Sequence, residues 1–121
     1  MGGIAGRYLL DEYQRGACGT MPACEVADVH VQVWEALEAG DDRHARDVMD
    51  RLLPLLNYEA MYGAVVYKEV LRRRGVIRSS YLRSHLGNPL DADNARELDA
   101  ILANLAPLFR IAVPETLLVG N

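Results

Sequence analysis

Lysine is almost missing from this sequence: Lys68 is the single one, so an amine able to form an imine would have to be this residue. Cysteine is nearly as scarce. Cys18 and Cys24 make no disulfide framework, and no Cys or His pair has the spacing of a zinc site. His30, His44 and His85 show no metal spacing either, and each is expected at the surface. No run approaches the ~18 apolar residues of a membrane span. A basic excess is also lacking: the formal net charge is −4, which leaves no electrostatic case for nucleic acid or for an anionic membrane. Met1 to Tyr8 lacks the basic start and apolar core of a signal peptide. Gly6 stands where a myristoylation motif wants Ser or Thr. The expected location is therefore the cytoplasm.

What is present is ordinary for a globular chain: 50% hydrophobic and 25% charged residues over a length of 121. Such a chain can bury roughly two-thirds of its unfolded surface. One stretch stands apart. Ala17 to Met21 is small, apolar and uncharged, with Gly16 before it and Pro22 after it, the flanks of a buried strand. Pro22 suits the first turn of a following helix. One strand cannot make a sheet, so it must pair with another copy or with sequence outside this chain.

The remainder reads as helices. Met1 to Gly6 is glycine-rich, and Arg7 to Gln14 forms a short helix with Leu9, Leu10 and Tyr13 on one side. Val26, Val29, Val33, Trp34 and Leu37 make an amphipathic stripe that Gly40 ends. Asp41 or Asp42 caps the next helix, whose stripe is Ala45, Val48, Met49, Leu52, Leu53 and Leu56. Pro54 is expected to kink or divide it. A further helix runs from about Tyr58 to Arg74, with Met61, Tyr62, Val65, Val66, Val70 and Leu71 as its apolar face and Gly75 as its stop. Val76 to Pro89 is a connection. Asp91 caps the last helix, with Ala95, Leu98, Ile101, Leu102 and Leu105 inward and Pro107 at its end. Residues 110–121 form a tail without assignment.

Several of these stretches, in this order, resemble the C-terminal part of the dihydrodipicolinate synthase/N-acetylneuraminate lyase family. They are Gly2-Gly3-Ile4-Ala5-Gly6-Arg7-Tyr8-Leu9-Leu10, Arg15-Gly16-Ala17-Cys18-Gly19-Thr20-Met21-Pro22-Ala23, Leu37-Glu38-Ala39-Gly40-Asp41, Leu52-Leu53-Pro54-Leu55 and Tyr67 to Ile77. The resemblance implies a mainly α chain as it stands: the end of a (β/α)8 TIM barrel plus a C-terminal helical extension. Residues 1–40 would hold the tip of strand 7, a short helix, strand 8 and its helix, and residues 41–109 the extension. It implies a parent lyase or aldolase that acts on pyruvate or another 2-keto acid through a Schiff base, needs no further cofactor and forms a homo-oligomer. The imine lysine and the relay tyrosine belong to earlier strands, so this chain alone is expected to be an inactive fragment. The alternative is a free-standing helical interaction or dimerisation module without catalysis.

Barrel sites lie at the C-terminal ends of the strands. There the resemblance implies Met21 as a wall of the keto-acid pocket, with Gly3 lining its other side through backbone. Met21 inward would put Ala17 and Gly19 inward and Cys18 and Thr20 outward. From the residues alone, Met21 is an ordinary core methionine and Cys18 a buried, inert thiol. Lys68 is read as a solvated or salt-bridged helix residue. Arg72-Arg73-Arg74 could bind phosphate, but arginines also suit a helix C-terminus.

Overall fold

A capping side chain and the start of an apolar stripe coincide at two helix starts, after Asp41 and after Asp91. The computed structural model describes residues 1–83 and 90–111, and among these it has five α-helices. They are α1 (Leu9–Gln14), α2 (Ala27–Glu38), α3 (Asp42–Tyr62), α4 (Ala64–Arg73) and α5 (Ala92–Leu105). Short 3-10 turns precede α2 at Cys24–Val26 and follow α5 at Ala106–Leu108. His85 and most of the tail lie outside the described residues. No helix among the described residues is long and apolar enough to cross a membrane.

Helices α2 and α3 form an antiparallel hairpin. Gly40 turns the chain at φ +76°, and the Asp41 N–H donates to the Ala36 carbonyl at 2.8 Å. Asp41 is the cap: its carboxylate accepts the His44 N–H at 3.1 Å. Along α2, Val29, Val33, Ala36 and Leu37 are buried, and along α3 Ala45, Val48, Met49, Leu52, Leu55 and Leu56 face them. Leu98, Ile101, Leu102 and Leu105 of α5 close the core from the other side. Asp91 and Asn94 make a capping box at the start of α5, and the Asn94 amide also donates to the Tyr58 hydroxyl at 2.8 Å.

Several expectations need correction. Pro54 does not divide α3, which runs unbroken through it. Pro54 and Asp50 are both exposed, so the Asp50 carbonyl that loses its helical donor can turn to water. The break lies at Gly63 instead, with φ +75° and ψ −145°, a conformation open essentially to glycine alone. Tyr58 to Tyr62 therefore belong to α3. Met61 (72% exposed) and Tyr62 (40%) consequently point away from the core rather than into it.

The stretch Ala17 to Met21 is also not a buried strand here. It makes one parallel bridge, Thr20 to Gly2. The Gly2 N–H donates to the Gly19 carbonyl at 2.8 Å, and the Met21 N–H to the Gly2 carbonyl at 3.0 Å. A strand becomes buried when neighbours cover it, and a two-residue partner covers little. Cys18 is accordingly exposed rather than buried. Helix α2 is entered through the Cys24–Val26 turn, so Pro22 precedes the first helical turn instead of lying in it.

Candidate functional site

The Gly2–Thr20 bridge brings Gly3 and Met21 together. Each follows a bridged residue in a parallel pair, so both lie at the same, C-terminal end. Met21 is 68% exposed. A Cβ built on Gly3 meets nothing within 4 Å. Open space thus stands above the two residues that the strand-end reading selects. Close packing begins just behind them. Gly6, at φ +74°, presses against His30, whose Nε2 would lie 2.5 Å from a Cβ there.

His30 is buried, contrary to its expected surface position. Its Nδ1 lies 3.2 Å from the Val26 carbonyl and its Nε2 2.9 Å from the Ala5 carbonyl. Burial lowers its pKa, against the opposing pull of those carbonyls and of Glu25 and Asp28, so the ring is held toward its neutral form. His30 staples the turn after Gly3 to α2.

Two carboxylates occupy the interior beside this end of the molecule. Glu25, from the Cys24–Val26 turn, and Glu59, from α3, are each 1% exposed. Burial first, then the hydrogen-bonding contact and charge of Glu25, push Glu59 up to about 10, with the Arg7 cation opposing. Arg7 donates from Nη2 to the Leu56 carbonyl at 2.9 Å. Tyr67 of α4 is also raised, by burial and then by the charges of Glu59 and Glu25. One signal in the sequence marks Glu59: it continues the stripe of Leu52, Leu55 and Leu56.

The arginine run is absorbed by ion pairs, within α4 and to α5 and α2, rather than left as a phosphate patch. Arg72 pairs with Glu69 at 2.5 Å, and Arg73, 2% exposed, bridges Glu69 on α4 and Asp99 on α5. Burial would raise Glu69, but its hydrogen bonds from Arg72 and Arg73 prevail and lower it. Arg74 grips Asp28 of α2 in a fork at 2.8 and 2.6 Å, donates to the Glu25 carbonyl at 2.7 Å and lies 3.9 Å from the centre of the Phe109 ring. Lys68 donates to the Tyr81 carbonyl at 2.9 Å.

An open groove of about 390 Å³ runs between α1, α2 and α3, with Leu37 and Met49 in its floor and Arg7, Asp11, Arg46 and Asp50 around it. Neither Met21 nor Gly3 lines it. No group of three or more His, Cys, Asp or Glu among the described residues could hold a metal ion.

Comparison with known proteins supplies one family. No protein-family model and no curated protein sequence matches the chain. Among solved structures, a dihydrodipicolinate synthase from Rhodopseudomonas palustris matches with a TM-score of 0.77 and 35% sequence identity. The match covers 85% of this chain and 35% of that one, so the chain spans about a third of the enzyme it resembles.

Proposed function

From the relationship of this chain to the dihydrodipicolinate synthase family, we propose that it is the C-terminal segment of a lyase acting on pyruvate or another 2-keto acid through a Schiff base. The observation that carries this reading is the parallel bridge between Gly2 and Thr20, which sets Gly3 and Met21 side by side at one end. In a barrel, that end is where substrate binds. Residues 1–40 then complete the barrel and 41–109 form the helical extension. Met21 walls the keto-acid pocket, and Gly3 leaves room beside it.

The chain does not supply the imine. A Schiff-base amine has to be presented to the keto carbon in a site that excludes water and holds an acid/base group. Lys68 instead lies on α4 and is tied to the Tyr81 carbonyl. The complete enzyme works in the cytoplasm as a homo-oligomer, with the imine-forming lysine and the relay tyrosine on earlier strands. Borohydride reduction of the chain with pyruvate, followed by peptide mass analysis, tests the division of labour. No adduct on Lys68 is expected. A stoichiometric adduct there would make the chain a small enzyme in its own right.

A further inference from the structure

We propose that Glu25 and Glu59 are a one-proton lock: a shared proton ties the Cys24–Val26 turn to α3, and loss of that proton releases the turn. The lock is a property of this chain's own fold and does not rest on the lyase reading. The carboxyl oxygens of both residues are buried and receive no hydrogen bond from any other described residue, while the two side chains lie within hydrogen-bonding reach of each other. A pair of bare carboxylates in such a place is untenable, because like charges repel and neither is solvated. A proton held between them satisfies one oxygen of each and removes one charge. The raised pKa of Glu59 agrees with that arrangement.

The groups around the pair do not replace the proton. Arg7 offers the nearest cationic field, but its Nη2 is committed to the Leu56 carbonyl and its Nε is buried without a partner. Tyr67 reaches the pair from α4 as a neutral phenol whose pKa is raised further. His30 approaches from α2 and is held toward its neutral form. Arg74 is bound to the carbonyl of Glu25 and to Asp28.

The position of the pair gives the proton its consequence. Glu25 sits four residues after Met21, in the turn that leads from the strand end into α2. Glu59 sits in the last turn of α3, just before the Gly63 corner that launches α4. When the O–H bond of Glu59 breaks and its proton passes to hydroxide, two buried carboxylates face each other. The turn behind Met21 then separates from α3, and water enters between them.

Chemical denaturation of the full chain between about pH 7 and about pH 9 tests the lock. Across most of that window His30 is mainly neutral in both the folded and unfolded states, and an unfolded tyrosine is only about one-tenth ionised at its upper end. The folded state keeps a proton that the unfolded state has lost, so the folding equilibrium constant is expected to fall by up to about tenfold per pH unit. The double variant Glu25→Gln, Glu59→Gln is expected to lose this slope, since paired amides have no proton to release. A flat profile for the unaltered chain, or the same slope in the double variant, would overturn the lock. If the double variant fails to fold, carboxyl-carbon NMR of the unaltered chain decides instead. One protonated glutamate at about pH 7 supports the lock, and none refutes it.

Discussion

Arg74→Met should be among the most damaging single changes in this protein. Methionine keeps much of the apolar stem, so the effect isolates the guanidinium. That group makes a forked pair with Asp28, a hydrogen bond to the Glu25 carbonyl and a stacking contact with Phe109. The side chains of Arg74 and Asp28 are 5% and 11% exposed, so solvent screens the pair little. Removing one member of a buried pair strands the other's charge and costs about 3–5 kcal/mol. Here the Arg110 N–H still donates to Asp28 at 3.0 Å, which places the loss toward the lower end, about 3 kcal/mol. Urea denaturation reads this directly. In the double variant with Asp28→Asn, the stranded charge is gone, and a coupling of about 1.5 kcal/mol or more is expected. The pair has a pH signature as well. Burial by itself would raise Asp28, but the hydrogen bonds from Arg74 and the Arg110 N–H outweigh it and hold the carboxyl below its ordinary value. Its contribution is therefore complete above the unfolded-state pKa of about 4 and is lost as pH falls through the lowered folded value. Arg74→Met should flatten that acid slope. A loss under about 1 kcal/mol, or a coupling indistinguishable from zero, would refute the assignment of Arg74 as the clamp between α4 and α2.

Two other expectations concern the corner and the strand end. Gly63→Ala meets open space but keeps a backbone at φ +75°, so it should cost about 1–3 kcal/mol through strain alone, measurable as a lowered melting temperature without loss of helical circular dichroism. Met21→Asp should leave the stability of this chain within about 0.5 kcal/mol, because Met21 is 68% exposed. In a complete enzyme it should cut keto-acid turnover sharply, since its carboxylate would repel that of the substrate. Full turnover in a folded variant would remove Met21 from the pocket.

Much of the helical architecture is legible in the residues because it depends on neighbours in sequence. The stripes of α2, α3 and α5, the cap at Asp41, the capping box at Asp91 and the turn at Gly40 follow from spacing and local hydrogen bonds. The pairing of Gly2 with Thr20 and the exposure of Met21 are not local features, because burial of an extended stretch depends on what covers it.

The remaining features depend on groups far apart in the chain. Pro54 carries the stronger local signal for a break, yet the corner is at Gly63; packing of Leu52, Leu55 and Leu56 on the core holds α3 continuous past the proline. Three consecutive arginines look alike in sequence, but α4 points each in a different direction. Arg72 stays with Glu69, Arg73 reaches α5, and Arg74 reaches α2. His30 and Glu59 are polar residues at positions on an apolar face, and periodicity alone cannot say whether such a residue meets water or a partner. The hairpin of α2 and α3, with the turn before α2 folded against α3 and α4, decides that. It encloses His30 between two carbonyls and sets Glu59 against Glu25 across 34 residues of chain. Local spacing determines which face of a helix is apolar; only the meeting of faces determines which charges are taken out of water together.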